Sequence, residues 1–200
     1  MPLLSVDCSN GVGAIPLEKV AEKVKEWVKI DLYNYEVEEP EKLNTECGAE
    51  FVHKTQMKPS RMPEEEERHA ALDGDADRLI YFSVKKDPSF PAAELTVIDG
   101  DKQFAFLMRW VQHKLIKLDL QEVVSHALVQ TGYANGACTD FLAKEGINSV
   151  LAATGVKNIQ PEACKFVIGG ACEANGHGTI HVNWKELEKC LEGKEENEDA

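Results

Sequence analysis

A short apolar run, Leu3 to Val6, passes through Asp7-Cys8-Ser9-Asn10-Gly11-Val12-Gly13 into an amphipathic stretch, and this succession constrains the fold more than any other feature. From about Leu17 to Ile30, the residues Leu17, Val20, Val24, Trp27 and Val28 fall on one stripe with lysines and glutamates elsewhere, the pattern of a helix covering a sheet. Residues 31–37, Asp-Leu-Tyr-Asn-Tyr-Glu-Val, alternate and are aromatic, which predicts a strand. Strand, helix, strand at this spacing predicts an α/β unit. The glycines of the first turn do not make a dinucleotide fingerprint, because Pro16 stands where its last glycine belongs, and a tight strand-to-helix turn accounts for them.

Further along, the periodicity weakens. From Glu38 to Glu67 there are prolines at 40, 59 and 63, a glutamate run at 64–67 and a single plausible short element, Glu50 to Lys54, so a long mobile or partner-facing loop is expected. Residues 79–84 have the composition of a strand, and 85–94 that of a surface hairpin or linker. A second α/β unit is expected from near Asp99, its first strand just before. Its long helix carries Phe104, Leu107, Met108, Val111 and Leu115 on one face. Strands at Val-Val-Ser-His-Ala-Leu-Val-Gln, Ser-Val-Leu-Ala-Ala, Lys-Phe-Val-Ile-Gly-Gly-Ala and Thr-Ile-His-Val-Asn follow, with a glycine loop, a helix over 138–145, the loop Thr-Gly-Val-Lys-Asn, a short helix and the loop Cys-Glu-Ala-Asn-Gly-His-Gly between them. The expected division is 1–94, 95–184 and an acidic tail, 185–200, that starts as a helix and dissolves.

With 22 basic against 35 acidic side chains the net charge is −13, and no basic stripe offsets it, which argues against nucleic acid as a partner. No stretch approaches eighteen apolar residues and the first residues lack a basic lead, so a soluble, cytoplasmic protein with no membrane partner is expected. The six cysteines form no Cys-x-x-Cys pair and read as small apolar residues, free and reduced.

Two segments carry chemistry. Asp73, Asp75 and Asp77 stand at alternate positions, separated by Gly74 and Ala76, in a loop between apolar strands. Three carboxylates this close repel one another unless a hard cation sits among them; an oxygen-only set suits magnesium, and the competing reading is a solvated acidic turn. The calcium loop of EF-hands is excluded, since Arg78 and Val84 occupy the places of its glycine and its bidentate glutamate. Magnesium held by aspartates keeps places open for phosphate oxygens, and Arg78 supplies a second phosphate-directed group. Asp99-Gly100-Asp101 imitates this loop, but one of its aspartates reads better as the N-cap of a helix beginning near Lys102.

In the second segment Glu173, Asn175 and His177 alternate along a loop punctuated by Gly176 and Gly178. Acceptors and donors on one side of an approachable backbone suit a polyhydroxylated ligand. An Asn-Gly turn with no ligand, or a zinc fragment of Cys172, His177 and His181, are the alternatives, the last lacking a fourth ligand at finger-like spacing.

Seven segments in order, VDCSNGVGA, LNTECGAEFV, LDGDADRLIYF, IDGDK, VQTGYANGACTDFL, TGVKN and EANGHGT, make residues 4 to 182 resemble the phosphoacetylglucosamine mutase family of the α-D-phosphohexomutase superfamily. The resemblance implies two consecutive small α/β domains with mixed sheets flanked by helices, the second and third of the family's four. It implies that Asp73, Asp75 and Asp77 hold Mg2+ beside a phosphoserine, with Arg78 near. Glu173 and Asn175, with Gly176 and His177, would bind sugar hydroxyls, and Thr154, Gly155 and Lys157 would face the phosphosugar. The implied reaction interconverts N-acetylglucosamine 6-phosphate and 1-phosphate through a bisphosphate, on the route to UDP-N-acetylglucosamine.

The sequence departs from the family in three places. None of its serines is followed by His-Asn, the family's nucleophile loop; Ser125-His126-Ala127 comes nearest, in an expected buried strand. The arginine-serine-glycine-threonine phosphate clamp is not present, and Asn158 stands where a histidine is expected. A chain inactive by itself is therefore the expectation. A non-catalytic sugar-phosphate-binding or regulatory piece of the family is the alternative, and a phosphatase using Asp73 as nucleophile ranks last. Domain faces left uncovered would favour self-association.

Overall fold

The computed structural model describes residues 1–63, 68–85 and 94–198, which fall into two compact units, Met1–Asp99 and Gly100–Ala200. The first contains β1 (Leu3–Asp7), α1 (Ala14–Val24), β2 (Lys29–Tyr33), α2 (Ala49–Thr55), β3 (His69–Leu72), β4 (Leu79–Lys85) and β5 (Glu94–Ile98). Its sheet runs β2-β1-β3-β4-β5, with β1 parallel to β2 and β3 and the last two pairings antiparallel.

Alternation decides the two faces of this sheet. Val6, Cys8 and Ala70 turn toward Ala14 and Leu17 of α1. Ala71, Ile80 and Phe82 pack instead with Ala49 and Val52 of α2 and with Met62. Helix α1 is shorter and earlier than the apolar stripe predicts. It tolerates Pro16 because first-turn N–H groups have no partner within the helix. Val20 and Trp27 of the expected stripe are exposed, at 46% and 71%. The second strand likewise begins and ends early. Asn34 takes a left-handed φ of 47° and turns its side chain inward, stopping the ladder before residues 35–37.

The second unit contains α3 (Gly100–Lys117), β6 (His126–Thr131), α4 (Gly136–Lys144), β7 (Asn148–Ala152), α5 (Val156–Ala163), β8 (Ile168–Cys172), β9 (Gly178–Val182) and α6 (Trp184–Glu198). The sheet order is β7-β6-β8-β9, parallel except for the final hairpin pair. Met108 of α3 and Leu142 of α4 cover Leu128 on one face, while Ile159 and Ala163 of α5 cover Val129 and Ala171 on the other. Both sheets are mixed and flanked by helices, as expected.

Three boundaries are corrected. Strand β5 pairs with β4, from Tyr81↔Ile98 to Lys85↔Glu94, so it belongs to the first sheet and the units divide after Asp99 rather than after residue 94. Helix α3 starts at Gly100, two residues earlier than expected, which places Asp101 inside its first turn. The expected dissolving tail is helical to Glu198, and Leu187 and Cys190 pack against the cluster of Val111, Leu115, Leu120, Val124 and Ile168. Among the described residues no helix is long and apolar enough to cross a membrane.

Candidate functional site

The aspartate loop joins β3 to β4, adjacent antiparallel strands whose last pair is Leu72↔Leu79. One oxygen from each of Asp73, Asp75 and Asp77 lies within 4.8 Å of the others, the sole such metal-capable group among the described residues. Ala76 holds a left-handed φ of 59°, and its N–H donates to the Asp73 carbonyl at 3.0 Å, curling the backbone so that alternate side chains converge.

Asp73 is buried and the other two are exposed. Burial, reinforced by the charges of Asp77 and Asp75, holds the Asp73 carboxyl above the ordinary carboxylate range, against the opposing bond from the Arg78 N–H at 3.1 Å. The Arg78 guanidinium leans on the same cluster: Nε is 3.5 Å from Asp73 Oδ2 and 3.7 Å from Asp77 Oδ1, and a terminal nitrogen is 3.8 Å from Glu50 Oε2. Three acidic oxygens, one of them from the buried carboxylate of Asp73, fit a hard divalent cation.

Sequence reasoning gave the loop after β1 only a plain turn, yet this turn braces the aspartates. Val12 N–H donates to Gly74 O at 3.0 Å. A Cβ on Gly11 would fall on the Gly74 carbonyl oxygen, and one on Gly13 would lie 2.7 Å from Ala76 Cβ. The turn is itself pinned. Asp7 is fully buried and accepts from Ser9 N–H at 3.0 Å, Asn34 Nδ2 at 2.9 Å and Gly48 N–H at 2.6 Å. Ser9 Oγ donates to Asn44 Oδ1 at 2.6 Å.

The expected loose loop is thus fastened at Asn44 and Gly48; its residues 64–67, and 86–93 of the expected hairpin or linker, lie outside the described residues. Burial with the nearby Asp7 charge pushes the Cys8 thiol up to about 12 and the Cys47 thiol up to about 11, so neither is a nucleophile at neutral pH. The signal was present in the DCSNGVGA and LNTECGAEFV segments, whose small polar residues sit where a core strand should continue apolar.

In the second unit, the parallel strands β6, β7 and β8 bring their carboxyl ends to one edge, and the predicted sugar residues gather there. Gly155, with φ of 104°, precedes α5 and its N–H donates to Glu173 Oε1 at 3.1 Å, so the Thr154–Gly155 loop and the Glu173 turn are tied. Within that turn Glu173 N–H donates to His177 O at 2.8 Å, His177 N–H to Asn175 Oδ1 at 3.0 Å, and Gly176 takes φ of 94°. Asn175 therefore makes the turn of the plain reading through its side-chain oxygen.

Lys157 lies in the first turn of α5 rather than in a loop, and stands exposed. Asn158 Nδ2 donates to Thr154 O at 2.7 Å, so the residue in the histidine's place steadies the loop. Cys172, His177 and His181 form no metal-capable group. Ser125 precedes β6 instead of lying within it, at the edge opposite the predicted sugar residues, and its Oγ accepts from Val167 N–H at 3.1 Å.

Comparison with known proteins identifies the family and the fold. The family profile described as phosphoacetylglucosamine mutase AMG1, domain III, matches residues 99–200. Phosphoacetylglucosamine mutase 1 of Schizosaccharomyces pombe is 40% identical over 185 residues, covering 91% of this chain and 34% of its own length. The human phosphoacetylglucosamine mutase is 35% identical over 200 residues, covering 98% of this chain and 35% of its own. The crystal structure of Aspergillus fumigatus N-acetylphosphoglucosamine mutase in complex with GlcNAc-6P and magnesium superposes with a TM-score of 0.84 at 34% identity, over 94% of this chain and 37% of that one. The chain spans about a third of the length of the curated relatives it matches.

Proposed function

The chain belongs to the phosphoacetylglucosamine mutase family, and on that premise we propose that it supplies the metal-binding and sugar-binding loops of an isomerase interconverting N-acetylglucosamine 6-phosphate and 1-phosphate in the cytoplasm. The observation that carries this reading is the convergence of the Asp73, Asp75 and Asp77 oxygens within 4.8 Å. Mg2+ bound there would neutralise charge on a phosphoryl group in transfer.

The protein's own contribution is positioning. The braced loop after β1 fixes the aspartate oxygens before any ligand arrives, so little reorganisation remains. Arg78 offsets their mutual repulsion and is near enough to turn toward a phosphate. Glu173 accepts from vicinal sugar hydroxyls, Asn175 Nδ2 donates to one, and Thr154, Gly155, Gly176, His177 and Lys157 shape the surrounding edge. The phosphoserine of the reaction is assigned to no serine of this sequence, since none precedes His-Asn.

Calorimetric titration with MgCl2 tests the metal site. Asp75 is exposed, so Asp75→Ala should leave the fold intact while weakening Mg2+ binding by about tenfold or more, the effect of losing one charged oxygen ligand. An unchanged affinity would remove the assignment.

A further inference from the structure

The Asp99-Gly100-Asp101 segment is left without a role by the metal and sugar assignments. Asp101 is 3% exposed, and its carboxylate faces neutral donors: Asn135 N–H at 2.9 Å on Oδ2, Gln130 Nε2 at 3.3 Å on Oδ1, and the Cys172 thiol at 3.9 Å. A desolvated carboxylate is costly and is retained where its bonds hold something in place. Gln130 and Cys172 are in register on β6 and β8, the last pair before those strands part into the loops 132–135 and 173–177. The chain leaves β6 toward β7 and leaves β8 toward β9, in opposite directions across the sheet, and such a parting is where α/β sheets take ligands.

The preceding residue holds the other loop. Gly100 N–H donates to Ala174 O at 3.2 Å, and a Cβ on Gly100 would fall on the Glu173 carbonyl oxygen. Asn135, gripped through its N–H, uses its own side chain to cap α4 at Ala137 N–H, 2.9 Å away. Two adjacent residues at the start of α3 thereby reach both loops.

We propose that Asp101 is a positioning residue: with the Gly100 backbone it clasps the 132–135 loop to the Glu173–His177 turn and so sets the shape of the sugar-binding edge. The function of this clasp rests on the sugar reading above; its existence does not. In Asp101→Ala the Asn135 N–H loses its acceptor. In Asp101→Asn the Oδ1 can still accept it, and the new amide can face a turned Gln130 carbonyl, so asparagine should rescue.

The test uses the full chain, below the melting temperature of every variant. By amide hydrogen exchange, Asp101→Ala should speed exchange about tenfold at Asn135 and also at Glu173 and Gly176, the effect of one lost buried hydrogen bond, with Val129 and Val150 in the sheet unchanged. Acceleration confined to Asn135, or spread equally over the unit, would overturn the clasp. Titration with N-acetylglucosamine 6-phosphate, followed by NMR, should show Asp101→Ala weakened about tenfold and Asp101→Asn close to wild type, alongside Glu173→Ala. Affinity lost in Glu173→Ala but kept in Asp101→Ala would deny the clasp a part in binding. Absence of binding in the wild type, or indifference to Glu173→Ala, would instead remove the sugar reading, while the exchange result still decides the clasp.

Discussion

Alanine at Asp7 is expected to destabilise the first unit by about 3 kcal/mol, although Asp7 belongs to neither ligand set. The replacement strips the acceptor from Ser9 N–H, Gly48 N–H and Asn34 Nδ2, all in the interior of the unit. Each orphaned donor costs about 1–3 kcal/mol, and relief of the buried charge returns part of the total. Asparagine should do little better, because its amide would confront the Gly48 N–H, a fixed donor. Urea unfolding with residue-resolved NMR would measure the loss, and a value under about 1 kcal/mol would mean that the loops hold without their anchor.

The same residue predicts a pH dependence. Burial raises the Asp7 carboxyl above its ordinary 3.8, so the folded chain binds that proton more tightly than the unfolded chain. The stability this supplies is complete below 3.8 and is lost as pH rises through the folded value. The margin of wild type over Asp7→Ala should therefore be wider in mild acid than at neutral pH.

A methyl at Gly169 should have an effect of similar size in the second unit. Its Cβ would fall on the Ala163 carbonyl oxygen and lie 2.6 Å and 2.9 Å from that residue's carbonyl carbon and Cα, all backbone of α5. Helix and strand must separate, at a cost of about 3 kcal/mol. The neighbouring Gly170→Ala would meet the ends of flexible side chains, Leu128 Cδ1 at 3.0 Å and Met108 Sδ at 3.2 Å, and should cost about 1 kcal/mol. Because α5 follows directly on Gly155, Gly169→Ala should also shift the Gly155 amide resonance, reporting a strained bond to Glu173. Equal melting temperatures for the two variants would contradict the backbone argument.

Much of this architecture was legible in the sequence. Apolar alternation located the strands, and the spacing of three aspartates across Gly74 and Ala76 located the loop where their oxygens converge, because both depend on short-range periodicity. Element limits failed where a single residue makes a long-range bond. Asn34 ends β2 by reaching Asp7, and β5 looked like the start of a new unit because pairing with β4 cannot be read from five residues. The plain reading of the Asp7–Gly13 turn failed for the same reason. Its partners, Asn44, Gly48 and Gly74, lie far along the chain, Gly48 standing 41 residues from Asp7.

The thiols of Cys8 and Cys47 carry a consequence for durability. Burial leaves Cys8 at 0% and Cys47 at 2% exposure and raises the two sulfurs to about 12 and about 11. Oxidants attack accessible thiolates, and neither sulfur is accessible or ionised at neutral pH. The loops that brace the three aspartates therefore carry cysteines that a change of redox conditions leaves untouched.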